Sequence, residues 1–257
     1  MSYGIFSYSY DILTENVQYE KIANKVCSLL HGNGVDGGLL LDLGCGTGTL
    51  SFLLEKLGYD IIGVDASEDM LMIANEKKYE AESSAMFLCQ RAEELDLFGT
   101  IDCAVSCLDT INHIDSLEKI EKAFSLVSLF MNMNGIFIFD MNTPYKHKEV
   151  LGNNTFIYDM DEVYCAWQNT LDEQNGKTII DLDFFIKNED DECYERYSEN
   201  FSEYIYNIDD IIKIINKCGF TLLETIDDYS ENPVNEATER ITFVVKKTET
   251  IFKDELK

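Results

Sequence analysis

The chain has 257 residues, with 48 acidic against 20 basic side chains and a formal net charge of −28. Affinity for nucleic acid comes largely from Lys and Arg neutralising phosphates, so this balance excludes a nucleic-acid partner and disfavours docking on an anionic membrane. Hydrophobic residues make up 46% of the sequence, enough for the core of one elaborated α/β domain, and no apolar run is long enough to cross a bilayer.

Residues 1–11, "MSYGIFSYSYD", are rich in aromatics and not obviously helical. From Ile12 to His31 the apolar positions Ile22, Val26, Leu29 and Leu30 fall at helical spacing, and Gly32, Gly34, Gly37 and Gly38 then break the chain. Strand and helix patterns alternate from there. Leu39–Leu43 reads as a buried strand, Leu50–Leu57 as a helix and Asp60–Asp65 as a second strand. Ser67 reads as the N-cap of a helix with Met70, Leu71 and Ala74 on its inner face. Ala85–Gln90 and Ile101–Cys107 are the third and fourth strands, Ser116–Met131 a helix, and Ile136–Met141 the fifth strand. Apolar strands alternating with helices imply a parallel sheet covered on both faces.

The rhythm changes between Tyr145 and Tyr206, where no good helix is visible. The runs "TFIYDM", "EVYCAWQNTL", "KTIIDLDFFIK" and "ECYERYSENFSEYIY", separated by "DEQNG" and "NEDD", read as antiparallel strands joined by hairpins. Asn207 then caps a helix over Ile208–Lys217 that stops at Gly219, followed by strands Thr221–Asp227 and Glu239–Lys246. The expected organisation is an α/β domain from 1–144 and 207–247, an inserted β lid from 145–206, and a tail from 248–257.

The eight cysteines show no CxxC pair, so no metal site is expected, and with no leader visible they read as small buried residues in a reducing cytoplasm. The "KDEL" at 253–256 is followed by Lys257, so it is not expected to act as a retention signal, which must be terminal.

The chemistry is concentrated in "LLLDLGCGTGTL". Glycines after a strand allow a ligand close to the backbone. A dinucleotide fingerprint needs G-x-G-x-x-G/A, and counting from Gly44 and Gly46 the last position is Thr49, with Gly48 one residue early. Asp42 precedes the turn, and Asp65 ends the second strand where a carboxylate can accept from both ribose hydroxyls. The set Asp42, Gly44, Gly46 and Gly48 resembles motif I of the class I S-adenosylmethionine (SAM) methyltransferases.

That resemblance implies a Rossmann-like seven-stranded sheet flanked by helices, with SAM as cofactor. The turn with Cys45 would face the methionine half of SAM, Asp65 the ribose, and Ala66 and Met70 the adenine. In "QRAEE" the backbone of Ala92 would meet the adenine edge, but Arg91 stands where relatives often carry an acid. Gln90 and Glu93 are the alternatives for that contact. Cys107, Leu108 and Asp109 would line the sulfonium. The segments "YGIFSYSYDIL", "CLDTINHI", "GIFIFDMNTPYK" and "ATERITFVVKK" resemble bacterial small-molecule methyltransferases, the sugar N,N-dimethyltransferases and more distantly glycine N-methyltransferase.

The resemblance implies a small-molecule acceptor, with an amine nitrogen expected. A hydroxyl acceptor, or SAM binding without transfer, are the alternatives, and the sequence assigns no oligomeric state. The substrate cavity is expected to draw on Tyr10, Tyr19, His113, Asn142, Tyr145 and Trp167, with Tyr10 and His113 the catalytic candidates, each weighed against simple packing. Where relatives often carry a lid histidine, "SENFSEY" has Phe201.

Overall fold

The structure, a computed structural model, describes residues 4–161, 163–187 and 193–251. Its first element is helix α1 (Gly4–Leu13), followed by α2 (Tyr19–Gly32). The first is a correction: the alternating aromatics of this stretch carry no helical period, yet the segment is helical. Tertiary anchoring overrides the weak local signal. Asp11 accepts from Thr47 Oγ1 (2.7 Å) and Lys77 Nζ (2.7 Å), which holds α1 over the glycine turn.

Strand β1 (Gly38–Leu43), helix α3 (Thr49–Lys56), β2 (Tyr59–Asp65), α4 (Glu68–Glu80), β3 (Met86–Cys89), β4 (Ile101–Ser106), α5 (Leu117–Phe130) and β5 (Met131–Asn142) follow the alternation read from the sequence. Ser67 and Ser116 cap α4 and α5 by accepting from Met70 N and Lys119 N, each contact worth about 1 kcal/mol. After the insertion come α6 (Ile208–Lys217), capped by Asn207, β10 (Phe220–Asp227) and β11 (Arg240–Lys247).

The seven strands are ordered β10-β11-β5-β4-β1-β2-β3. β1 pairs parallel with both β2 and β4, and β11 runs antiparallel to β5 and β10. Alternate residues serve the two faces. Leu41 and Leu43 join the core under α5 and α6, and Leu40 joins the core under α2 and α3. The strand order reverses between β1 and β4, and in open α/β sheets ligands bind at the carboxyl ends of the strands at that point.

The insertion is a meander of β6 (Thr155–Asp159), β7 (Val163–Asp172), β8 (Lys177–Lys187) and β9 (Tyr194–Tyr204). Its own small core (Val163, Cys165, Ile180, Leu182, Phe184) packs against Ile12 and Leu13 of α1. A π-helical turn over Lys146–Leu151 precedes it, where the sequence showed no helix. A single wide turn is too short to leave a periodic signature. The "NEDD" turn at 188–191 and the "KDEL" at 253–256 lie outside the described residues. Among the described residues no helix is long and apolar enough to cross a membrane.

Candidate active site

The carboxyl ends of β1, β2 and β4 open into a cavity of about 430 Å³, closed above by α1 and the inserted sheet. That size falls within the usual range for small-molecule sites, roughly 300–1,000 Å³.

The glycine turn forms the floor. A Cβ on Gly44 (φ +80°) would meet Thr110 at 2.3 Å, so no side chain fits. Around Gly46 (φ +54°) there is nothing within 4 Å, because that side of the backbone faces the cavity. The first N–H groups of the turn are already committed. Gly44 and Cys45 donate to Val64 O, and Gly46 donates to Asp65 Oδ2 (2.9 Å). Asp65 Oδ1 accepts from Ser67 N (2.9 Å), so the carboxylate is fixed at the tip of β2. Burial pushes its pKa up, against the pull of those N–H donors.

The exit of β4 is strained. Leu108 and Asp109 both have φ +58°, a left-handed conformation that costs a non-glycine residue about 1–3 kcal/mol. Asp140, fully buried on β5, accepts from both of their N–H groups (2.7 and 2.6 Å) and from Tyr229 Oη (2.5 Å). Arg240 binds Asp109 Oδ1 at 2.6 Å and reaches Asp140 at 3.4 Å. Burial pushes the Asp109 carboxyl up, but Arg240 and His113 outweigh it and hold it well below the usual range.

In the same cavity, ligand-type atoms of Asp109, His113 and Glu203 lie within 4.8 Å of one another. His113 Nε2 is 3.7 Å from Asp109 Oδ2, and its Nδ1 is a buried atom with no hydrogen-bond partner among the described residues. Burial lowers its pKa, but Asp109 and Glu203 outweigh that and raise it. Phe201 packs its ring 5.4 Å from the His113 ring. Lys146, which donates to Asn142 Oδ1, and Arg240 line the same cavity.

Of the residues singled out in the sequence, Tyr10, Gly44, Gly46, Asp65, Ala66, Met70, Arg91, Ala92, Leu108, His113, Asn142 and Trp167 line this one cavity. The others do not. Asp42 is buried beneath the turn, where it accepts from Ser51 Oγ (2.5 Å), and burial pushes its pKa to about 6. The Cys45 thiol lies over Gly63, away from the cavity, and Gly48 packs its α-carbon against Phe52, Phe87 and Ala74. Cys107 is buried beside Tyr229. Tyr19 stands behind Tyr10 and hydrogen-bonds to it, and Tyr145 is exposed outside the cavity. Gln90 is spent on the main chain of Asp96, and Glu93 pairs with Arg91.

Glu203, Lys146 and Arg240 also line the cavity and escaped the sequence reading. Glu203 was within reach: two residues on from Phe201 in a strand, it shares that residue's face.

The sheet order, the antiparallel last strand and a cavity at the switch point define an open α/β sheet with a small-molecule site at the carboxyl ends of its strands. A family profile described as a methyltransferase domain matches residues 40–135. A "Putative methyltransferase" of Geobacillus sp. (strain WCH70) is 31% identical, covering 96% of this chain and all of that protein. The crystal structure of an S-adenosylmethionine-dependent methyltransferase from Clostridium acetobutylicum ATCC 824 superposes with a TM-score of 0.87 at 33% identity, over 96% of this chain and 99% of that one. Streptomyces venezuelae DesVI shares the fold at 16% identity, with a TM-score of 0.78 over 95% and 98% of the chains. The chain therefore belongs to the SAM-dependent methyltransferases.

The cavity suits that cofactor. The N–H groups of Gly44, Cys45 and Gly46 are spent within the protein, and the open side of the turn at Gly46 leaves room for the ligand. Asp65 stands where vicinal hydroxyls can donate to a carboxylate.

Proposed function

We propose that this protein methylates a nitrogen of a small-molecule amine. Asp65 would hold the ribose of SAM, Gly44 and Gly46 its amino-acid half, and Ala66, Met70, Ala92 and Leu108 the adenine and sulfonium ends. When bound, SAM supplies an activated methyl group. Residues 145–206 act as the lid that selects the acceptor over the domain formed by 1–144 and 207–247.

The observation that carries the reading is the convergence of Asp109, His113 and Glu203 on the cavity. Two carboxylates at one wall offer acceptors to the several N–H donors of an ammonium. Arg240 occupies Asp109 Oδ1, and Oδ2 stands 3.7 Å from His113 Nε2. Phe201, which occupies the position of the lid histidine of relatives, adds an apolar surface beside His113. Tyr10 and Trp167 exclude water and orient the acceptor's body. Holding a nucleophile in line can supply about 7–11 kcal/mol in favourable systems, so positioning carries most of the catalytic demand.

The test is release of S-adenosylhomocysteine (SAH) with a panel of small amines, matched alcohols and phenols. Turnover confined to the amines is expected. Turnover with phenols alone would replace nitrogen by oxygen as acceptor. SAM binding with no turnover on any acceptor would favour a protein that holds the cofactor without transferring methyl.

A further inference from the structure

Strand β9 carries one deeply buried acid into the cavity. Glu203 is 3% exposed, whereas Glu195 on the same strand is open to solvent. Asn142 Nδ2 donates to Glu203 Oε2 at 2.9 Å. Asn142 is itself fixed, its N–H donating to Asn112 Oδ1 and its own Oδ1 accepting from Lys146 Nζ. Directly across the β8–β9 ladder from Glu203 is Thr178, whose Oγ1 is 3.0 Å from His147 Nδ1. His147 is completely buried, and its Nε2 has no hydrogen-bond partner among the described residues. That nitrogen faces Glu203 Oε2 at 3.8 Å.

In the tautomer whose Nδ1–H is given to Thr178, the Nε2 lone pair faces a carboxylate oxygen. Two acceptors then face each other, and one proton placed on Glu203 would join them. The orphaned nitrogen and the buried acid are thus each completed by the same event. We propose that Glu203 is the proton acceptor of the reaction, and that His147 is a positioning residue that holds the protonated carboxyl through Nε2. This rests on the reading of the acceptor as an amine. The N–H bond of the bound ammonium breaks and its electron pair stays on nitrogen as a lone pair. The proton forms an O–H bond on Glu203, so ammonium and carboxylate become amine and carboxylic acid with no further reactant.

The neighbouring groups are poorer candidates. Arg240 holds Asp109 ionised, and Asp109 and Glu203 draw His113 toward its protonated form. The groups facing Glu203 are Asp109 and His113 from the turn after β4, and Lys146 and His147 from the π-helical turn. Burial and Asp109 push the Glu203 carboxyl up; His113, Asn142 and Lys146 oppose them and do not win. Burial pushes His147 down to about 4, so it is neutral at pH 7 and able to accept.

The experiment is a carbon-13 NMR titration of the full chain labelled at glutamate carboxyls, with SAH bound. The Glu203 signal is identified by its loss in the isosteric Glu203→Gln. Glu203 is expected to titrate above the ordinary glutamate range. His147→Phe should lower its proton affinity about tenfold, and His147→Gln, which keeps an acceptor, should restore part of it. An ordinary glutamate titration in the wild type would overturn the proposal, and an unchanged one in His147→Phe would overturn the role of His147. In parallel, SAH release is followed with glycine, ethanolamine and glucosamine as probes. Glu203→Gln should reduce kcat at least about 100-fold, within the range for a lost general base; wild-type turnover would overturn the proposal. If no amine is turned over while Glu203 still titrates high and His147→Phe lowers that titration, the amine reading fails and only the proton-holding pair of Glu203 and His147 is supported.

Discussion

Replacing Asp140 by asparagine removes one negative charge from the centre of the β4 exit. The carboxylate is fully buried and faces four donors: Leu108 N, Asp109 N, Tyr229 Oη and Arg240 Nη1. An amide presents only one acceptor oxygen to them and turns an NH₂ toward the rest. At least one backbone N–H is then stranded, and Arg240 keeps only Asp109 at close range. Breaking a buried charged pair costs about 3–5 kcal/mol. The two left-handed residues, Leu108 and Asp109, also lose the group that holds them there. The Asp140→Asn variant should therefore lose about 3–5 kcal/mol, and at roughly 2–4 °C per kcal/mol its Tm should fall by about 6–20 °C. Guanidinium unfolding and a thermal melt measure both quantities. A loss under about 1 kcal/mol would refute the claim that this carboxylate holds the β4 exit in its strained form.

Two further outcomes follow from the site. Gly44→Ala should cost about 2–5 kcal/mol, because its Cβ would lie 2.3 Å from Thr110 in a left-handed conformation. Gly46→Ala should fold with a loss of about 1–2 kcal/mol yet bind SAM at least about tenfold more weakly, since its methyl enters open cavity space; a melt and calorimetry on each variant separate the two. The Asp109 carboxyl is held below its unfolded value, so its contribution is present above about pH 4 and is lost as pH falls through the folded value. Stability of the wild type should decline with acid in that window, and Asp109→Asn should flatten the decline in denaturation curves from about pH 5 to about pH 2.

Much of this was legible in residues 38–142, where each strand and helix carries its own period and caps, and where Gly44, Gly46 and Asp65 sit at fixed places in a strand–turn–helix unit. Helix α1 was not, because Asp11 finds its partners at Thr47 and Lys77, far along the chain. Asp42 and Cys45 belong to the same motif as the glycines, but strand alternation turns Asp42 toward Ser51, and the turn lays the Cys45 thiol on Gly63. Sequence spacing gives the motif and not which side chains it buries. Glu203 meets Asn142 at the end of β5 and His147 in the π-helical turn through tertiary contacts, and no local pattern in "SENFSEY" announces a buried acid. The period of two from Phe201 was the one available sign.

The most direct test of the cofactor assignment is calorimetric binding of SAM and SAH to the wild type beside Asp65→Ala. Two hydrogen bonds to a carboxylate contribute together about 3 kcal/mol or more, so the variant should bind at least about 100-fold more weakly while remaining folded by circular dichroism. Equal affinity in the two proteins would contradict the placement of the ribose on Asp65 and, with it, the orientation of the cofactor on which the account of the cavity depends.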